Sequence, residues 1–142
     1  MSRTMTPDEI HRFLSHGTPT AKLVISGPGG EPHVMPVWFV LDDEELVFTT
    51  WGESVKGRNL RRSPRAAVIV DDEVAPYAFV HIRGHVTLSE NLEELLRFAT
   101  AIGDRYMGAD QAGEFGRRNA VLDELLVRLR PERVIAMADV AG

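Results

Sequence analysis

The side chains best suited to chemistry lie in one segment, Thr49–Arg65, where hydroxyl groups are followed by cations. The residues concerned are Thr49, Thr50, Ser54, Lys56 and Arg58. The hydroxyls stand at the end of a β-prone run and at the start of a predicted helix, where free backbone N–H groups and the helix dipole favour an anion. Lysine adds a compact charge, and arginine adds a fork that binds two phosphate oxygens at once. The pattern therefore predicts a site for the phosphate of a cofactor.

The distribution of charge favours one localised anion over a nucleic acid. The chain of 142 residues carries a net charge of -5, yet five of its 16 basic residues fall within Thr49–Arg65, against one acid, Glu53. Nucleic-acid binding requires a broad basic surface, which an acidic chain lacks. The alternative for this segment is a cationic surface helix whose arginines pair with neighbouring acids. The GxxxxGK[ST] pattern of a Walker loop is absent.

The elements that must position this segment are mostly strands. Hydrophobic periodicity and turn residues predict strands at 21–25, 33–41, 46–51, 65–70 and 77–88, and helices at 7–16, 54–62, 91–107 and 110–119. Residues 125–130 fit a helix or a strand, and Pro131 followed by Val134 and Ile135 favours a closing strand with a kink. We expect a mainly β fold with α-helices, an antiparallel barrel with appended helices, formed by residues 1–142 as a single domain.

The run from His33 to Leu41 is apolar almost throughout, which is typical of a strand covered on both faces. In a domain of this size, the second cover is expected to be a partner subunit or a flat ligand. Pro36 has no N–H group, so it predicts an edge or a bulge in that strand.

Composition excludes several functional classes. The chain has no cysteine, so disulfides, thiolate metal sites and a cysteine nucleophile are excluded. No apolar run approaches the ~20 residues of a membrane helix, and the N-terminus lacks the apolar core of a signal peptide, so a cytoplasmic location is expected. Ser54 lacks the GxSxG context of a hydrolase, and His81 and His85 lie about 13 Å apart on a strand. The sequence predicts neither a metal site nor a dedicated catalytic acid, base or nucleophile.

Several short motifs occur together in one order along most of the chain. They are Pro32-His33-Val34-x-Pro36-Val37-Trp38-Phe39, Phe48-Thr49-Thr50, Ser54-x-Lys56-x-Arg58-Asn59-Leu60-Arg61-Arg62, Pro64-Arg65, Val70-Asp71-Asp72-Glu73 with Pro76-Tyr77, and Arg130-Pro131-Glu132-Arg133-Val134. With these motifs the chain resembles the split β-barrel flavin and deazaflavin oxidoreductases related to pyridoxamine 5'-phosphate oxidase, the FMN-binding split-barrel type. Within them it is most similar to the actinobacterial branch that uses the deazaflavin coenzyme F420.

The resemblance implies a homodimer that binds two cofactors between its subunits. It implies that Pro36, Val37 and Trp38 lie along the deazaflavin ring, and that Tyr77 and Phe79 wall a pocket for a small-molecule substrate. It also implies a set of residues around the phosphate end of the cofactor. These are Thr49, Thr50, Ser54, Lys56, Gly57, Arg58 and Asn59.

The implied reaction is hydride transfer from the reduced cofactor to an electron-poor double bond or a similar acceptor. In such an enzyme the cofactor carries the chemistry, and the protein binds and orients it. The same phosphate segment would serve an FMN-dependent reductase or oxidase. A third possibility is a cofactor carrier or regulatory binding protein without turnover.

Overall fold

The computed structural model describes residues 1–142, which form an eight-stranded antiparallel sheet and four helices. The strands are β1 (Arg3–Thr4), β2 (Ala21–Ser26), β3 (Pro32–Val37), β4 (Val40–Asp42), β5 (Glu45–Trp51), β6 (Arg65–Asp72), β7 (Ala78–Ser89) and β8 (Glu124–Ala138). The helices are α1 (Pro7–Ser15), α2 (Val55–Arg62), α3 (Leu92–Met107) and α4 (Ala109–Asn119). The strand order is β3-β2-β6-β7-β8-β5-β4, and β1 pairs with β8.

The two ends of the sheet are consecutive in the chain. Edge strands β3 and β4 are joined by only Trp38 and Phe39, so the Cα atoms of Val37 and Val40 lie at most about 10 Å apart. The sheet must therefore curl until its edges approach, although no ladder joins β3 to β4. The curl encloses the main core, whose largest buried side chains include Leu23, Phe39, Leu46, Phe48, Leu60 and Leu129. The predicted antiparallel barrel with appended helices is confirmed, with its sheet left open.

Helices α3 and α4 pack against each other, and α3 covers the opposite side of β4, β5 and β8. A second, smaller core lies between them, where Val47 and Leu126 of the sheet meet Leu95 and Phe98 of α3. Asn91 caps α3 by accepting a hydrogen bond from the backbone N–H of Glu94 at 3.0 Å. None of the four helices combines the length and the apolar character that a membrane-spanning helix needs.

The longest strand, β8, pairs with β1, β5 and β7 and bends at a bulge. The register of β7 against β8 shifts between Arg83 and Gly84, and Gly84 lies opposite Pro131, which has no N–H group to give to a ladder. At Gly84 the two backbones approach so closely that a Cβ atom would collide with the carbonyl oxygen of Arg130. The predicted closing strand with a kink is therefore confirmed.

One predicted strand differs in the structure. The run 33–41 is divided into β3 and β4, and β3 alternates between exposed Val34 and Pro36 and more buried neighbours. In the single chain the outward side chains of β3 meet no second layer, so the expected cover by a partner subunit or a flat ligand stays a prediction. The edge position predicted from Pro36 is confirmed.

Gly84→Ala is expected to destabilise the protein, because the added methyl group meets fixed backbone in a β-bulge. Overpacking of this kind costs about 1 to 3 kcal/mol. Chemical denaturation measures the effect, and Gly113→Ala is the matched control. Gly113 lies within α4, where an added Cβ meets only the flexible side chain of Arg117, so alanine should stabilise by about 0.5 to 1 kcal/mol. Equal stabilities for the two variants would contradict the close approach at the bulge.

Candidate cofactor site

The corner between β5 and α2 brings Thr50, Ser54 and Gly57 together. The Ser54 Oγ accepts a hydrogen bond from the backbone N–H of Gly57 at 3.0 Å and donates to the carbonyl oxygen of Trp51 at 2.6 Å. The Thr50 Oγ1 lies 3.3 Å from the same Ser54 Oγ. Ser54 is thus the N-cap that the sequence predicts, and its hydroxyl holds the corner together.

Gly57 allows the first turn of α2 to lie directly on the backbone at the end of β5. A Cβ atom there would stand 2.5 Å from the carbonyl oxygen of Trp51 and 2.8 Å from that of Gly52. Gly52 is itself tied to the start of β8, since its N–H donates to the carbonyl oxygen of Asp123 at 2.7 Å. The helix N-terminus is therefore fixed against two strands before any ligand arrives.

Two of the five cations in the segment, Lys56 and Arg58, have neither an ion-pair nor a hydrogen-bond partner in the protein. Arg61 lies 3.7 Å from Glu90, Arg65 lies 2.5 Å from Glu132, and Arg62 donates to Asn59 Oδ1 at 2.8 Å. Lys56 and Arg58 take part in none of the ten ion pairs of the protein. Here the two cations nearest the helix N-terminus are left available to an outside anion.

A buried carboxylate, Glu124, stands beside this corner and was missed by sequence reasoning. It begins β8 opposite Trp51 and is only 8% exposed. Burial raises the pKa of Glu124, while a hydrogen bond from Thr49 and the charge of Lys56 act in the opposite direction. Burial likewise lowers the pKa of Lys56, and the charge of Glu124 opposes that shift. The only sequence signal for Glu124 is a single acid at the head of an apolar run.

Asn59 lies beneath α2, not on its open side. It is 4% exposed, its Oδ1 accepts from Arg62, and its Nδ2 has no partner in the protein. Arg62 also donates to the carbonyl oxygen of Ser26 at 3.2 Å, so this pair ties α2 to the end of β2. The structure therefore separates Asn59 from the exposed cations of the same helix.

The residues that the resemblance places along the cofactor ring lie at the end of β3 and in the link to β4. They are Pro36, Val37 and Trp38. Val37 is buried, Pro36 is exposed, and Trp38 is 40% exposed in the link between β3 and β4. Val40 pairs with Val47, so extending that register by two residues places Trp38 level with Thr49. This register brings Trp38 towards the hydroxyl-bearing end of β5, whereas Pro36 and Val37 pair with Lys22 and Ala21 of β2.

Tyr77 and Phe79 lie at the other end of the sheet. They line an open depression of about 360 Å³, with Ile69, Asp71, Asp72, Glu73, Ala78 and Val140. On β8, Phe79 is opposite Met137 while Thr49 is opposite Leu126. Those two positions are eleven residues apart, about 36 Å along an extended strand. Within one chain, the predicted substrate residues do not join the predicted phosphate residues.

An open, curled antiparallel sheet with appended helices is the architecture of a split-barrel protein. The model of the family described as pyridoxamine 5'-phosphate oxidase matches residues 6–138. The chain belongs to this family.

Individual proteins are also similar to this chain in structure or sequence. A conserved hypothetical protein from Mycobacterium tuberculosis superposes with a TM-score of 0.86 at 27% identity, covering 95% of this chain and 86% of that one. A solved F420 reductase gives a TM-score of 0.68 at 28% identity, covering 87% of this chain and 94% of that one. The 5a,11a-dehydrotetracycline/5a,11a-dehydrooxytetracycline reductase of Streptomyces rimosus is 37% identical over 71 residues. That match spans 47% of this chain and about half, 49%, of the curated relative.

Glu124→Gln is expected to stabilise the protein at neutral pH and not under acid conditions. Because the folded-state pKa of Glu124 is raised, its charged form costs stability at pH 7, and the cost disappears as the pH falls through that pKa towards the ordinary value of 4.5. Thermal unfolding of the variant and the wild type between pH 4 and pH 8 measures the difference, which should shrink with falling pH. Glu114→Gln, at an exposed position of α4, is the control and should change little. A lower unfolding temperature for Glu124→Gln at pH 7 would contradict this account.

Proposed function

We propose that the protein is a coenzyme F420-dependent oxidoreductase that transfers a hydride from the reduced deazaflavin to an electron-poor or unsaturated small molecule. The observation that carries the proposal is the α2 corner, where Lys56 and Arg58 have no partner and Trp38 lies level with the adjoining hydroxyls. The similarity to an F420 reductase over 87% of the chain supports the deazaflavin, and the Streptomyces reductase supports reduction of an unsaturated acceptor.

The residues divide between the two ends of the cofactor. Lys56, Arg58 and the N–H groups at the start of α2 would hold the phosphate, with Thr49 beside them. Thr50, Ser54 and Gly57 would act by fixing the corner, since their polar groups already bond within it. Asn59 would support the helix from below through Arg62.

The ring would lie along Pro36, Val37 and Trp38. Bound there, the deazaflavin supplies the hydride, and the protein contributes orientation through the exposed edge of β3 and the indole of Trp38. No side chain is assigned as an acid or a base.

A homodimer with the cofactors at the subunit interface is part of the proposal. The outward face of the strands β3, β2, β6, β7 and β8 exposes apolar side chains, among them Val34, Ile69 and Ile135. Exposed apolar patches of this kind mark protein contacts. Since Tyr77 and Phe79 lie about 36 Å along β8 from Thr49, they reach the cofactor site only if a second subunit supplies them.

An FMN-dependent reductase or oxidase is the second candidate, because the phosphate segment contains nothing that discriminates one phosphorylated ring from another. A cofactor carrier is the third. Purified protein with a yellow flavin spectrum favours FMN. Tight binding of either cofactor without hydride transfer to any of a broad set of acceptors favours the carrier.

Lys56→Ala is expected to weaken F420 binding at least tenfold, about 1.4 kcal/mol, while melting without ligand stays within a degree or two of the wild type. The reason is that burial of the Lys56 charge outweighs its attraction to Glu124, so the pKa of Lys56 is lowered on balance and its removal should cost the free protein little. Titration of the purified protein with F420, followed by deazaflavin fluorescence, measures the affinity, and a parallel FMN titration compares the two rings. Arg61→Ala on the same helix, where Glu90 already pairs with the arginine, is the control for a change of charge alone. Equal affinities for Lys56→Ala and the wild type would mean that the segment does not hold the cofactor.

Ile69→Glu is expected to convert the dimer into a monomer, because it replaces an exposed apolar side chain of the outward face, between Lys22 and His81, with a charge. Light scattering after size-exclusion chromatography should give twice the mass of one chain for the wild type and the single mass for the variant. Leu122→Glu is the control, since Leu122 is 82% exposed in the turn before β8 and lies outside that face. A monomeric wild-type protein would contradict the dimer, as would a dimeric Ile69→Glu variant.

A further inference from the structure

We propose that Tyr106, held by hydrogen bonds at the end of α3, is a positioning residue that sets the orientation of the Trp38 indole, and with it the plane on which the cofactor ring lies. The orientation of Trp38 is a property of the protein alone, whereas the plane of the ring rests on the proposed function. The contact between Tyr106 and Trp38 is not visible in the sequence, where the periodicity of α3 predicts only core packing.

Trp38 lies where the sheet itself cannot orient it. It stands between β3 and β4, so it takes part in neither ladder, and it is 40% exposed. An indole in a two-residue link would ordinarily sample several rotamers. Its orientation must come from contacts outside the sheet.

Those contacts are aromatic and come from the helical pair. The ring of Tyr106 is stacked on Trp38 with a centroid separation of 5.0 Å and an interplanar angle of 4°. Phe115 of α4 lies 5.9 Å from Trp38 at 37°. Aromatic pairs at these separations are favourable beyond the area that they bury, so the two contacts favour one orientation of the indole.

Tyr106 is itself held at its hydroxyl end. Its Oη donates to the carbonyl oxygen of Pro19 at 2.7 Å and accepts from the N–H of Phe39 at 3.3 Å. The second bond reaches the residue next to Trp38 in the link. The phenol ring is therefore fixed with respect to the same backbone whose indole it supports.

Arg105, the preceding residue, holds the surrounding backbone in place. Its guanidinium donates to three carbonyl oxygens, those of Leu14 at 2.6 Å, Phe39 at 2.8 Å and Gly17 at 2.9 Å. Arg105 makes no ion pair, and burial lowers its pKa. One side chain thus ties the end of α1 and the β3–β4 link to the last turn of α3.

Loss of the Tyr106–Trp38 stack should affect the geometry of the bound ring and the affinity for the cofactor differently. The phosphate end of the cofactor is held by the α2 corner, which Tyr106 does not contact. A small misplacement of reacting groups reduces rate much more than binding. Loss of the stack should therefore change the environment of the bound ring while the dissociation constant stays nearly the same.

The first measurement needs no cofactor. The chain has two tryptophans, so Trp51→Phe leaves Trp38 as the sole indole emitter. In this background, Tyr106→Leu should raise the acrylamide quenching constant of Trp38 at least twofold and lower its fluorescence anisotropy. Tyr106→Phe keeps a ring but loses both hydrogen bonds, so it should give a smaller increase. Phe13→Leu removes an aromatic ring from α1 and should leave Trp38 unchanged.

The second measurement uses the protein with F420. Tyr106→Leu should alter the visible circular dichroism of the bound deazaflavin, while the dissociation constant stays within threefold of the wild type. Unchanged Trp38 quenching in Tyr106→Leu would overturn the positioning role, as would a tenfold loss of affinity with unaltered dichroism. Should the leucine variant fail to fold, Tyr106→Phe decides, and quenching equal to the wild type overturns the proposal. If the wild type does not bind F420, the proposed function fails, and the quenching series still tests the role of Tyr106.

Discussion

The structure depends on the two-residue link between the edge strands of one sheet. Because Trp38 and Phe39 are all that join β3 to β4, the two edges must approach, and the sheet curls around a core that includes Phe39 itself. The same short link places Trp38 level with the hydroxyl-bearing end of β5. Arg105 and Tyr106 then bond to the Phe39 backbone, so the helical pair secures the point on which both the core and the candidate site depend.

The α2 corner illustrates how the proposed phosphate site is prepared before a ligand binds. Its hydrogen-bonding groups are used internally, by the Ser54 cap and by the close contact at Gly57, and this fixes where the helix N-terminus points. Burial lowers the pKa of Lys56, and the charge of the buried Glu124 opposes that shift only in part. In the proposed complex, the phosphate would supply the interaction that this lysine lacks.

The length of β8 bears on how many chains the proposed site would require. This strand joins the hydroxyl end of the sheet, opposite Leu126, to the end that carries Phe79, opposite Met137. The two positions are separated by the bulge at Pro131. The outward face between them exposes apolar side chains on which a second copy would lie, so the proposed dimer and the proposed pocket rest on the same geometry.

The sequence by itself determined the local elements. The structure confirms the helix that begins after Ser54, the strand over most of 77–88 and the kink at Pro131. These features could be predicted because caps, periodicity and a missing N–H group act over a few residues. The family resemblance and the cluster of cations were also readable. Only the tertiary structure decided that the 33–41 run breaks at Trp38, that Glu124 lies beside Lys56, that Asn59 turns inward and that Tyr106 stacks on Trp38. Each of these contacts joins residues far apart in the chain, and their pairing is set by sheet register and helix packing, which no local pattern encodes.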